Sequence, residues 1–238
     1  MEKHYSVGTR TSPLALIQAE DMISRLRACF PDAGFEVSGI DTFGDKDRKT
    51  PIGEMEGTDF FTREIDAALF ENKIDMAVHS AKDLPDDMME GLTLAAVTSS
   101  IDPVDVLISK KNLTLKMLPY GAKIGASSTR RKKQLKSFRE DFRIIDIRGN
   151  INDRMDNLQK SDLDGIVIAS AGLIRLGREH EITQKIPMEI METHPLQGAL
   201  ALVVRSEEDD VINTLSQVSW NVKKRNSRNN SYEAVNGG

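Results

Sequence analysis

Four short segments concentrate the side chains able to bind anions or move protons, and each lies where a strand-like run gives way to a helical one. The first is GTRTSP at residues 8–13. Ser12 stands before Pro13 as an N-cap before an N1 proline. The free N–H groups of such a helix start, with Arg10 beside them, attract a carboxylate or a phosphate; simple capping next to a surface arginine is the alternative. The second, AVHSAKDLP at 77–85, places His79, Ser80, Lys82 and Asp83 just after a strand, where open α/β sheets hold their ligands. A Lys–Asp neighbour pair is also a common surface feature, and His79 by itself reads as a structural hydrogen-bonding residue. The third is GASSTRRKKQLK at 125–136, where Ser127 or Ser128 caps a helix whose first turns carry Arg130, Arg131, Lys132 and Lys133. Cations there oppose the helix dipole, so their presence calls for an explanation such as a bound anion. The fourth, IDIRGNINDR at 145–154, supplies Arg148 on a turn and Arg154 one helical turn beyond Asn150.

Between residues 127 and 154 there are nine basic and four acidic side chains, a basic site inside a chain whose net charge is −5. The overall balance argues against nucleic acid and acidic membranes as partners. Arginines in such a cluster suit a ligand with several carboxylates, because each planar fork can hold one in bidentate fashion. The four cations at 130–133 lie on different faces of one helix, so they cannot all meet one ligand. No GxxxxGK[ST], GxGxxG or GxSxG pattern occurs, which disfavours nucleotide, dinucleotide and serine-hydrolase chemistry. The four histidines have no close metal-ligand spacing, and one cysteine, Cys29, allows neither an internal disulfide nor a zinc cluster. No metal is expected. A start with charges on both sides of a short apolar stretch, and no window of ~18 apolar residues, predict a cytoplasmic protein with no membrane span.

The elements that must position these segments follow from periodicity. Apolar runs at 35–41, 74–78, 92–99, 105–109, 122–126, 143–147 and 165–170 predict strands, and helical patterns at 60–73, 129–138, 151–160 and 171–177 lie between several of them. Leu16, Ala19, Ile23, Leu26 and Phe30 form one apolar stripe on a first helix stopped by Pro31. Such alternation predicts an α/β protein with mostly parallel sheets and helices on their faces. Residues 41–59 are polar, Gly-rich and without period, which predicts a functional loop. Residues 221–238 are almost free of apolar side chains and predict a solvated, disordered tail.

In this order and spacing, GTRTSPLAL (8–16), DMAVHSAKDLP (75–85), GASSTRR (125–131), DIRGNINDR (146–154), GIVIASAGLIRLG (165–177) and QGAL (197–200) resemble the porphobilinogen deaminase, or hydroxymethylbilane synthase, family. The resemblance runs from about residue 5 to about residue 215. It implies two periplasmic-binding-protein-like (type II) α/β domains with mixed, mostly parallel sheets and a cleft between them. It also implies head-to-tail joining of four porphobilinogen units into hydroxymethylbilane, with release of ammonia, on a dipyrromethane cofactor in tetrapyrrole and haem biosynthesis. By resemblance Asp83 is the catalytic carboxylate. Arg10, Ser12, Ser80, Lys82, Ser127, Ser128, Arg130, Arg131, Arg148, Gly149 and Arg154 hold substrate and cofactor carboxylates. The partners implied are porphobilinogen and linear pyrrole intermediates, and a monomer is expected, with a dimer as the alternative.

The sequence departs from the family pattern in three ways. The family's third, α+β domain, with the cysteine that bonds the cofactor, has no counterpart before the polar tail, and Cys29, near the end of the first helix, is not its equivalent. The family's GKGLF segment reads EGTDFF, with Thr58 and Asp59 where lysine and glycine are expected, and Ala126 replaces a threonine. The expected division is domain 1 at 1–98 plus 199–220 and domain 2 at 99–198. A non-catalytic module that binds a pyrrole or another polycarboxylate is the competing reading.

Overall fold

The computed structural model describes residues 3–47, 50, 58–216, 223–226 and 231–234. In chain order the elements are β1 (Lys3–Arg10), α1 (Pro13–Cys29), β2 (Ala33–Ile40), α2 (Phe43–Lys46), α3 (Arg63–Phe70), β3 (Met76–Ser80), a 3-10 turn (Ala81–Asp83) and β4 (Leu92–Val97). They continue with β5 (Asp105–Ser109), β6 (Lys123–Gly125), α4 (Thr129–Phe138), β7 (Arg143–Ile145), α5 (Ile151–Lys160), β8 (Gly165–Ala169) and α6 (Ser170–Arg175). The last are β9 (Gln184–Lys185), β10 (Leu200–Arg205), α7 (Asp209–Ser216), β11 (Lys223–Asn226) and β12 (Ser231–Ala234). Two compact units result, one from residues 1–46, 57–100 and 199–238, the other from 47–56 and 101–198.

The first unit is a five-stranded sheet in the order β2-β1-β3-β10-β4. β1 pairs in parallel with β2 and β3, whereas β10 runs antiparallel to β3 and β4. β10 is buried along its whole length, because its side chains alternate between two cores. Leu200, Leu202 and Val204 pack with Met22, Ile23 and Leu26 of α1, while Val203 packs with Ile65 and Leu69 of α3. Each such side chain contributes roughly 1.5–3 kcal/mol by leaving water. α1 starts at the predicted cap, and Ala19, Ile23 and Leu26 of the predicted stripe are buried together with Ala15 and Met22, whereas Leu16 is 38% exposed.

The second unit repeats the plan in the order β7-β6-β8-β5-β9. β6 is parallel to β7 and β8, and β5 is antiparallel to β8 and β9. Strands β5 and β8 again serve two cores. Leu107 and Val167 pack with Ile124, Leu135 and Phe142, while Val106, Ile108, Ile166 and Ile168 face Met155 and Leu158 of α5.

Several expectations need correction. The sheets are evenly mixed rather than mostly parallel, because β10 and β5 enter their sheets against the direction of their neighbours. β10, β9 and α7 are absent from the predicted elements; an apolar run buried on both faces, as β10 is, shows no alternation to read. The 41–59 segment is not loop throughout, since Phe43–Lys46 form a helical turn, and residues 48–49 and 51–57 lie outside the described residues. In the tail, β11 and β12 pair antiparallel, and the rest of 221–238 lies outside the described residues.

Candidate functional site

In the first unit, adjacent parallel strands β1 and β3 end at the same edge of the sheet, so Arg10 and Ser12 come together with Ser80, Lys82 and Asp83 there. The turn between β1 and α1 is pinned by Thr9, whose hydroxyl donates to Val78 O at 3.1 Å. Ser12 Oγ accepts from Ala15 N at 3.3 Å, with Pro13 opening the helix. Ser80 Oγ pairs with the Gln18 side chain of α1 at 2.9 Å. The 3-10 turn then carries Lys82 and Asp83, both half-buried.

Arg10 is held by its own chain. Its guanidinium donates from Nε to both oxygens of Asp45 at 3.2 Å and from Nη2 to Oδ1, while Phe61 lies 4.4 Å beneath it. Burial opposes charge on Asp45, yet Arg10 and the Thr42 hydroxyl hold its carboxyl below the usual range. Asp45 and Gln18 are therefore site residues that sequence reasoning missed. Their partners are 35 and 62 residues away, beyond any local pattern.

The Asp59 found in place of a glycine is neutralised by two bonds from Arg63, at 2.7 and 2.8 Å. It lines a concavity of about 550 Å³ with Asp66, Asp86 and Asp87, an acidic surface rather than one for carboxylates.

In the second unit, parallel β6 and β7 deliver two turns to one edge, and the turns are tied together. Ala126, fully buried, donates from its backbone to Ile145 O at 3.0 Å, and Ser127 Oγ donates to Ile147 O at 2.7 Å. Ser127 thus serves the turn itself, and Ser128 is the cap, accepting from Arg131 N at 3.2 Å. α5 opens with a full capping box between Asn150 and Asp153. Gly149 has φ +88°, and a Cβ there would sit 2.6 Å from Asp153 Cβ, so the turn requires glycine. Arg154 Nε donates to Gly149 O at 2.9 Å, and Arg148 donates to Asp47 O at 2.5 Å. The structure thereby brings together the N-termini of α4 and α5, Arg148 and Arg154.

Arg130 and Arg131 have an internal anion. Arg130 Nη2 and Arg131 Nη2 donate to the two oxygens of buried Asp105 at 2.8 and 2.7 Å. Gln197 Nε2 adds a third donor to Asp105 at 2.9 Å and a bond to Pro103 O at 2.7 Å. Burial opposes the charge of Asp105, but Arg131 and Arg130 together keep its carboxyl below the usual range. Asp105 and Gln197 were not legible as site residues for the same reason as Asp45. Lys132 pairs with Asp146. Cys29 Sγ donates to Arg25 O within α1 and packs against the core, so it belongs to helix packing and not to either cluster. Among the described residues no group of three or more His, Cys, Asp or Glu side chains could hold a metal, and no helix is long and apolar enough to cross a membrane.

Comparison with known proteins bears on both clusters. The chain is 41% identical over 218 residues to the porphobilinogen deaminase of Pelotomaculum thermopropionicum, covering 92% of this chain and 70% of that protein. It is 44% identical over 206 residues to that of Natranaerobius thermophilus, covering 86% and 66%. Among solved structures, a TRAP periplasmic solute binding protein from Desulfovibrio salexigens is 11% identical, with a TM-score of 0.51 over 90% of this chain and 72% of that one. That likeness shows a shared periplasmic-binding-protein-like fold. The family profile "Porphobilinogen deaminase, dipyromethane cofactor binding domain" matches residues 5–213, the stretch that holds both clusters and Asp83, and the chain belongs to the porphobilinogen deaminase family.

Proposed function

We propose that the chain joins porphobilinogen units head to tail into hydroxymethylbilane, with release of ammonia. The observation that carries this reading is Asp83 at the carboxyl end of β3, beside Arg10 and the N-terminus of α1, within a family match that spans both units. A pyrrole with acetate and propionate arms needs two anion receptors per ring. Half-buried Arg10, Arg148 and Arg154 and the N-termini of α1, α4 and α5 supply that chemistry.

The same donor set suits dipyrromethane, itself a polycarboxylate, and once bound that group supplies the free pyrrole position to which units are added. The chain's own residues do the rest. Asp83 stabilises positive charge on the pyrrole nitrogen as ammonia leaves the aminomethyl carbon, which stays on the ring as the methylene that is then attacked. Lys82, Ser80 and Ser12 orient carboxylates next to it, with Ser128, Gly149 and Ser127 shaping the second receptor. Arg130 and Arg131 act from a turn neutralised by Asp105. We assign the work to two domains, 1–98 with 199–220 and 99–198, in a cytoplasmic monomer; the single thiol, Cys29, is free, which suits a reducing compartment.

Incubation with porphobilinogen should release ammonia and, after acid oxidation, give uroporphyrin. Asp83→Ala should abolish this while leaving the unfolding transition in place, and an active Asp83→Ala protein would overturn the assignment. The competing binding-module reading draws on the placement of Cys29 inside α1. It requires saturation at fixed stoichiometry with no ammonia.

A further inference from the structure

Behind the Ser80–Asp83 turn, the first unit buries two titratable groups that the reaction described above leaves unused. His79 on β3 is 5% exposed and Asp66 on α3 is 7% exposed. His79 Nε2 lies 3.7 Å from Asp66 Oδ1, and Nε2 has no hydrogen-bond partner. A buried ring nitrogen left unsatisfied is costly. An ion pair here would lie on the side of β3 that faces the buried cluster of Ile65, Leu69 and Ala77, where desolvation of two charges exceeds what one contact returns. The neutral alternative satisfies the nitrogen: a carboxylic O–H pointing at an unprotonated Nε2, within reach after a side-chain adjustment of about 1 Å. Asp66 also lines the concavity at Asp59, Asp86 and Asp87, which gives the buried carboxyl a route for proton exchange.

We propose that Asp66 is a positioning residue: as a carboxylic acid it donates to His79 Nε2, fixes the imidazole as its Nδ1–H tautomer and so anchors the end of β3 from which Ser80, Lys82 and Asp83 follow. This rests on the reading of Asp83 as the catalytic carboxylate. The electrostatics agree. Burial holds Asp66 up at about 6, opposed by the neighbouring Thr62 side chain and helped by the negative charge of Asp59. Burial presses His79 down to about 4, opposed by Asp83 and helped by Arg10.

Proton counting gives the test. Between about pH 4 and 6 the unfolded chain carries one proton on the pair, on His79, and the folded chain carries one, on Asp66. Folding moves the proton without net uptake, so the pair contributes no pH dependence there. Asp66→Asn leaves a histidine protonated only when unfolded, and stability then rises with pH across that window. His79→Gln leaves a carboxyl protonated only when folded, and stability then falls with pH. Each slope approaches one proton, tenfold in the unfolding constant per pH unit.

The experiment combines imidazole ¹⁵N spectra of the wild-type chain near pH 5 with these slopes, with amide hydrogen exchange and with turnover. The expected spectrum shows unprotonated Nε2 and protonated Nδ1. Asp66→Ala should lower kcat about tenfold or more with KM nearly unchanged, and should speed exchange of the Ala81 amide, which bonds to Ala199 O. Asp66→Asn, which still offers an N–H to Nε2, should restore both. A cationic His79 or an Nε2–H tautomer near pH 5 overturns the proposal, as does an Asp66→Ala protein with wild-type kcat and Ala81 exchange. Should the wild type make no uroporphyrin, the reading of the function fails, and the spectrum, the slopes and the Ala81 exchange still decide the role of Asp66.

Discussion

Several arginines of this chain have their counter-charges within the fold, Arg10 on Asp45 and both Arg130 and Arg131 on Asp105. Arg131 is 5% exposed and shares Asp105 with Arg130, so Asp105→Asn leaves two forks facing a neutral amide. Removing one partner of a buried ion pair costs about 3–5 kcal/mol, and urea unfolding at pH 7 should show a loss of that order. The sign with pH follows from Asp105 being held below its ordinary value. Its contribution is complete above about pH 4 and vanishes as pH falls through the lower folded value, so the gap between wild type and Asp105→Asn should close in acid. The sequence displays cations in the first turn of α4 and the need for an anion, but the anion sits on β5, 25 and 26 residues away. Asp45 stands to Arg10 in the same relation, across 35 residues. Residue type and local spacing expose a demand for charge, and only folding shows which carboxylate meets it.

At the scale of elements, helix ends were the most legible features. α4 and α5 occupy the predicted 129–138 and 151–160, because Ser128 and Asn150 cap through bonds spanning three residues, which a sequence displays directly. Asn150→Ala removes one arm of the α5 capping box and should cost about 1 kcal/mol, read as a lowered urea midpoint with an unchanged m-value. Strands were read less well where burial is two-sided. β5 and β8 have turn signals at both ends and were found at 105–109 and near 165–170. β10 is as apolar as they are but leads by a short charged turn into α7, with nothing in its own pattern to tell a strand from a core helix. The buried face of α1 keeps Ala19, Ile23 and Leu26 of the expected stripe, adds Ala15 and Met22 and leaves Leu16 exposed, since the sheet beneath a helix, and not the helix's own composition, selects which side chains are covered.

For the whole molecule, acid is the informative perturbation. Asp45, Asp102 and Asp105 have carboxyls held below their ordinary values, each against the opposing effect of burial, by Arg10, Lys185 and the Arg131–Arg130 pair in turn. All three favour the folded state above about pH 4 and release that stability below it. A steep decline in the thermal midpoint below about pH 4, with a flat region from about 4 to 6 where the Asp66–His79 pair is proton-neutral, should appear in a pH series of melting curves. The sequence by itself determined the α/β alternation, the caps of α1, α4 and α5, the basic strand-to-helix turns and the family motifs, because all of these are set by contacts between residues close along the chain. Tertiary structure alone decided that β10 returns antiparallel beside β3, that Asp105 neutralises Arg130 and Arg131, that Asp45 grips Arg10, and that Asp66 faces His79. Those contacts join residues far apart in sequence, and their energies depend on burial and distance, quantities that exist only once the chain has folded.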